Sequence, residues 1–241
     1  MKTKIISFAL ILTTFFSNQI FGCTAFILRK SGKNLLCFNR DYLSSAGHLM
    51  INQRNIKKTA IPFPGEVSAK WTSKYGSVTI SQAREEAGEG INEMGLAIVS
   101  LALENEGKYP DIDNKPMVDN FQWIQYMLDN CSTLNEVITA SKSIRISNQS
   151  VPYLHYVIAD AKGNYAFAAY INKELKFYTN DKSTGNFISN DCFTRSAVDL
   201  KEYEGFGGTK KSNSQYQEFS SKEAVVMGAT MIKEFDSKKE L

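Results

Sequence analysis

The stretch Gly22-Cys23-Thr24-Ala25-Phe26-Ile27-Leu28 governs how the rest of the chain is read. It is apolar and β-prone, and Ser31-Gly32-Lys33-Asn34 follows it with turn chemistry. Leu35-Leu36-Cys37-Phe38-Asn39-Arg40-Asp41-Tyr42 then predicts a returning strand, so residues 39–42 come back beside Cys23. Upstream, Met1-Lys2-Thr3-Lys4 precedes an apolar run from Ile5 to Phe16 and a short exit from Ser17 to Gly22. A basic start, an apolar core of about 7–15 residues and a short exit are the parts of a secretory signal. Residues 1–22 are therefore read as a signal peptide and 23–241 as one domain.

Cleavage after Gly22 would leave Cys23 with a free α-amine beside its own thiol. An ordinary thiol titrates near about 8.5 and a terminal amine near about 7.7–8.0, so one residue would carry both a nucleophile and a base. Two other readings stand beside this one. Ile20-Phe21-Gly22-Cys23 loosely follows a bacterial lipobox, in which the cysteine is acylated and anchored, with bulky Phe21 as the departure. Alternatively, Cys23 is a buried cysteine of a first strand.

Composition narrows the function classes. The 241 residues carry a formal charge of +3, and without Lys2 and Lys4 only about +1, which favours neither nucleic acid nor another polyanion. Cys23, Cys37, Cys131 and Cys192 are too widely spaced for a disulfide scaffold. His48 and His155 stand apart from any Cys/His cluster, so no metal and no cofactor are expected. After the signal, no apolar stretch approaches the roughly 20 residues needed to span a bilayer. The expected location is periplasmic or secreted.

Further along, His48–Asn52, Gly76–Ser81 and Leu96–Leu101 predict strands, with Glu85-Glu86-Ala87-Gly88-Glu89-Gly90 as a polar, flexible connection. The period changes at Asp119–Leu128, an amphipathic helix whose Phe121, Ile124 and Leu128 share a side with Trp123 and Met127 adjacent. That aromatic and Met stripe is core. Ser132 or Thr133 caps a second helix with Leu134, Val137 and Ile138 inward. A meander of Leu154–Asp160, Tyr165–Tyr170 and Leu175–Tyr178 follows. A helix beginning at Asp191 or Thr194 and running through Tyr203, and a last helix over Ser221–Phe235, complete the chain. Strands, helices, strands, helices describe an α+β layered domain.

Taken together, Cys23-Thr24-Ala25-Phe26, Asn39-Arg40-Asp41-Tyr42, Asn92-Glu93-x-Gly95-Leu96 and Ser189-Asn190 resemble the choloylglycine hydrolase family. This family of N-terminal-nucleophile hydrolases includes bile-salt hydrolases and penicillin V acylases. Trp71–Ser77, Trp123–Tyr126 and Glu204–Gly208 place the likeness nearest the secreted bacterial branch that cleaves linear amides. The resemblance implies a four-layer αββα fold and a cysteine amidase that acts on a small N-acyl amide through a thioester on Cys23. It makes Asp41 the residue that holds the amine and thiol in register, and Asn92 and Asn190 the donors to the tetrahedral intermediate. A homo-oligomer is compatible with it.

Two departures accompany the match. Phe38 stands where the family has an arginine, and Arg40, two residues on and on the same strand face, is the candidate replacement. Glu218 precedes Phe219 where the family has a second site arginine, and the chain ends before the family's last strands, so a domain incomplete at its C-terminus is expected. These departures motivate an alternative: a catalytically impaired relative serving as a secreted or lipid-anchored binding protein.

Overall fold

Strand side chains point alternately to the two faces, and the first strand, β1 (Thr24–Lys30), has a core on each. Cys23, Ala25 and Ile27 are buried on one side among Val99, Leu101, Val157, Ala159 and Phe167. Phe26 and Leu28 pack on the other side among Phe187, Leu200, Tyr203, Val225 and Ala229. Such a strand requires a layer above it and a layer below. The computed structural model, which describes residues 22–30, 33–41, 46–82, 86–104, 106–212 and 220–237, supplies both.

β1 lies between β14 (Phe187–Ile188) and β2 (Lys33–Asn39) in a three-stranded antiparallel sheet. Against it packs a seven-stranded antiparallel sheet. Its order is β13 (Glu174–Thr179), β12 (Tyr165–Ile171), β11 (Leu154–Ala159), β8 (Ala97–Ala102), β7 (Glu89–Asn92), β6 (Ser77–Gln82) and β3 (Gly47–Asn52). Helices α1 (Asn120–Asn130) and α2 (Leu134–Ala140) cover the outer face of the large sheet, where Trp123, Ile124, Met127 and Leu128 meet Ile98, Tyr156 and Ile158. Helices α3 (Phe193–Leu200) and α4 (Ser221–Ser237) cover the small sheet. Helix, sheet, sheet, helix is the expected four-layer arrangement. Two small pairs lie outside it: β4 (Lys57–Thr59) with β5 (Lys70–Thr72), and β9 (Met117–Val118) with β10 (Arg145–Ile146).

Local chemistry sets the boundaries. Asp119 and Gln122 form a reciprocal capping box that starts α1, and the Thr133 hydroxyl accepts from Glu136 N to start α2. α3, expected to begin at Asp191 or Thr194, begins at Phe193, and its cap is Cys192, whose sulfur accepts from Arg195 N at 3.5 Å. That helix stops at Leu200, because Lys201, Glu202 and Tyr203 bond three residues back and tighten the chain into a turn. β7 is a larger departure, since its Glu89 belongs to the segment expected to be a flexible connection. Glu218 and Phe219 lie outside the described residues.

Three strands facing seven leave part of the large sheet open. On β3, β6 and β7 the register pairs Leu49 with Ile80, Ile51 with Val78, and Val78 with Ile91. These five aliphatic side chains share the face that carries Glu89, and all are exposed, Ile51 by 78%. Among the described residues no helix is long and apolar enough to cross a membrane.

His155 on β11 sits on the strand face that carries Val157 and Ala159 toward the small sheet, and it is 1% exposed. Neither ring nitrogen meets a partner in hydrogen-bond geometry. Burial holds the imidazole down to about 3, against an opposing pull from the Ser189 backbone. The folded chain thus keeps it neutral while an unfolded chain takes up a proton below about 6.5, so stability falls by about 1.4 kcal/mol per pH unit below that point until about 3. Urea unfolding at about pH 7 and about pH 5.5 should show roughly 1 kcal/mol more acid loss for the parent than for His155→Leu. Equal acid sensitivity in the two proteins would refute this.

Candidate active site

The β1–β2 register builds one half of the site. Thr24 lies opposite Asn39 and Ala25 opposite Phe38, so the residues after Asn39 close over Cys23. The Cys23 sulfur is 3.9 Å from the Asp41 carbonyl. The Asp41 carboxylate is held by the Asn39 amide, which donates to Oδ1 at 2.8 Å. Its other oxygen faces the chain just before the nucleophile: a Cβ on Gly22 would stand 3.6 Å from Asp41 Oδ2. A carboxylate therefore flanks the Gly22–Cys23 peptide bond.

The short strand β14 builds the other half. Ala25 pairs with Ile188, and the same antiparallel register carried two residues further sets Asn190 opposite Cys23. The Ser189 hydroxyl donates to the Cys23 carbonyl at 3.0 Å, tying the two chains together at this point. The Asn190 amide spends one Nδ2 hydrogen on the Ala102 carbonyl at 2.9 Å, while its Oδ1 is buried without a partner. Its second Nδ2 hydrogen remains for the sulfur or for an oxygen bound beside it.

Arg40 completes the group. Its guanidinium passes over the Phe38 ring at 5.2 Å and ends on Glu89, to which Nη2 donates at 2.6 Å. Burial pushes the Cys23 thiol up, and the Asp41 carboxylate acts in the same sense; the Asp41 backbone, the Arg40 charge and the Asn190 amide pull it down. Sulfur, carboxylate, amide donor and cation thus converge where the two sheets meet, an arrangement suited to attack on a carbonyl.

A family model for linear amide C–N hydrolases of the choloylglycine hydrolase type matches residues 23–230, and the match begins on Cys23 itself. The chain belongs to the choloylglycine hydrolase family. Over 124 residues, 45% of the chain, it is 35% identical to a penicillin V acylase of Pectobacterium atrosepticum, and that match spans 33% of the relative's length. The structure of a penicillin V acylase from Agrobacterium tumefaciens superposes with a TM-score of 0.73 at 24% identity, covering 90% of this chain and 67% of the other. A mutant conjugated bile acid hydrolase from Clostridium perfringens gives 0.71 at 19% identity, covering 90% and 74%. These two superpositions establish the shared N-terminal-nucleophile hydrolase fold.

Within this choloylglycine hydrolase scaffold the structure gathers Cys23, Asp41, Asn190 and Arg40 but does not bring Asn92 to them. Asn92 points to the opposite face of β7 from Glu89, toward α1. There its Nδ2 donates to Leu128 O at 2.8 Å and Cys131 O at 2.7 Å, and its Oδ1 accepts from Met94 N and Leu96 N, both at 3.1 Å. Both amide hydrogens are committed, and none is left for a substrate oxygen. The turn it clamps contains Gly95 at φ 79°, a left-handed position where a side chain would be strained. Sequence reasoning quoted Ser189 within a motif without giving it a role, and it passed over Glu89; the first ties the nucleophile's carbonyl and the second anchors Arg40. Adjacency to Asn190 pointed to Ser189, whereas no local signal marked Glu89.

Proposed function

We propose that this chain is a cysteine amidase that hydrolyses a linear amide, exported and cut after Gly22 so that Cys23 leads the mature chain. The convergence of the Cys23 sulfur, the Asp41 carboxylate beside the Gly22–Cys23 bond and the Asn190 amide carries this reading. In the mature chain the new α-amine accepts the thiol proton, and the sulfur attacks the substrate carbonyl. The free Nδ2 hydrogen of Asn190 meets the oxygen as it gains charge. Collapse of the tetrahedral species expels the amine product, which leaves with the proton stored on the α-amine. Water then cleaves the Cys23 thioester along the same route in reverse and releases the acid. Asp41 keeps the amine protonatable and oriented, while Arg40 favours the thiolate.

Penicillin V and conjugated bile acids, the compounds named for the relatives, head the substrate panel. The test is intact-mass spectrometry of the secreted protein after brief exposure to each compound and acid quenching. The expected species starts at Cys23 and gains the mass of one acyl group on that residue, with no adduct on chain that retains Gly22. A mature chain that begins elsewhere would overturn the amidase, and a Cys23 bearing diacylglycerol would replace it with a lipid-anchored binding protein.

A further inference from the structure

We propose that Glu89 is a positioning residue for the nucleophile, holding the Arg40 guanidinium at the Cys23 site and setting how much of its charge the sulfur feels. The proposal deepens the amidase reading and rests on Cys23 as nucleophile. Phe38 occupies the strand position from which the family resemblance expects an arginine, so the cation has to arrive from residue 40. An arginine extending from the chain just past β2 has no reason of its own to stop near Cys23. β7 and β8 supply that reason.

Arg40 Nη2 donates to Glu89 Oε2 at 2.6 Å and lies 3.2 Å from Ser100 O and 3.4 Å from Gly88 O. The Ser100 hydroxyl in turn donates to Gly88 O at 2.7 Å, fixing that carbonyl in place. Gly88 leaves room for this fit, because a Cβ there would stand 2.8 Å from Nη2 and push the guanidinium aside. The side chains of Arg40 and Glu89 are only 17% and 12% exposed. Water therefore screens the pair weakly, and its field extends into the interlayer space occupied by Cys23.

A buried carboxylate without a partner would be costly, and no mechanistic step needs a second acid at this spot. Glu89 has one consistent physical role: it draws the guanidinium into the site and offsets part of its charge. Arg40 and Asp41 act on the Cys23 sulfur directly, and Glu89 acts through the Arg40 charge that it offsets, its own carboxyl raised by burial against the pull of Arg40; the mature α-amine joins them, and His155 on β11 stays neutral at working pH. Removing either member of the pair should consequently move the thiol in opposite directions. Without Arg40 the thiolate loses its cation, and without the Glu89 charge the cation acts undiminished.

The experiment measures the rate of iodoacetamide alkylation of Cys23 against pH in the mature protein, resolved by peptide mass spectrometry so that Cys37, Cys131 and Cys192 do not contribute. Glu89→Gln keeps an acceptor for Arg40 and should lower the midpoint by roughly half to one pH unit, whereas Arg40→Leu should raise it by at least as much. Glu89→Asp, which retains the charge, should restore the parent midpoint. A Glu89→Gln profile that superimposes on the parent overturns the proposal, as do shifts of the same sign in both variants, which would indicate loosened packing. Failure of the amidase reading appears separately, as amide turnover that survives loss of the Cys23 thiol.

Discussion

Cys23→Ala should reduce amide hydrolysis to the uncatalysed background, a loss of roughly four to six powers of ten in kcat/KM. The size follows from the double duty assigned to this residue. Its sulfur makes the covalent bond, and its amine moves the proton, so no neighbouring group can substitute for it. Asp41 carries a carboxylate, too weakly basic a nucleophile to displace an amine from an amide carbonyl, and His155 is a buried neutral imidazole with no hydrogen-bond partner to which it could pass a proton. The fold should tolerate the change, because Cys23 packs among Ala25, Val99 and Val157, where the loss of one sulfur removes little buried area.

A companion measurement separates the two duties. Protein that retains Gly22 ahead of Cys23 keeps the thiol but replaces the amine by a peptide nitrogen, which has no basicity near neutral pH. It should be as inactive as Cys23→Ala, and combining the two changes should cost nothing further, as expected of groups that act as a unit. Turnover of penicillin V within tenfold of the mature parent by Cys23→Ala would remove Cys23 from the reaction, and the same turnover by protein that retains Gly22 would remove the α-amine as its base.

Local patterns predicted the scaffold far better than the site. The turn chemistry of Ser31-Gly32-Lys33-Asn34 between two apolar runs announced the hairpin, which the pairing of Thr24 with Asn39 bears out, although Lys33 and Asn34 already belong to the returning strand and Ser31 and Gly32 lie outside the described residues. The 3.6-residue period of α1 was equally plain, because helix periodicity is written within a few residues; Asp119, read as the first residue of that helix, is its cap. β7 was hidden for the opposite reason. Two glycines and three glutamates in residues 85–90 look like solvated loop, and only Arg40, 49 residues earlier, makes the burial of Glu89 tolerable. β14 is two residues long and has no period to detect, yet it positions Asn190. Asn92 shows the limit of motif matching: Asn-Glu-x-Gly-Leu marks a turn truly, while the direction of the amide depends on a helix about 30 residues away.

That contrast between two asparagines gives the second large effect. Asn190→Ala should lower kcat by two to three powers of ten, the equivalent of about 2.7–4 kcal/mol of transition-state stabilisation, with KM little changed. Its cost to folding should stay near about 1 kcal/mol, since only the Ala102 carbonyl loses a donor and the Asn190 backbone still accepts from Glu104 N. Asn92→Ala should show the reverse pattern. It strands Leu128 O, Cys131 O, Met94 N and Leu96 N at once, and stability should fall by about 3–5 kcal/mol. Folded protein that remains at low temperature should nevertheless turn over at close to the parent kcat. Steady-state kinetics at about 10 °C, paired with urea unfolding of both variants, separates the two roles, because an oxyanion donor moves the chemical step whereas a turn clamp moves the population that is folded. If Asn92→Ala lost as much kcat as Asn190→Ala while fully folded, the amide seen facing α1 would have to reach the substrate by another conformation, and the assignment of the donor to Asn190 alone would fall.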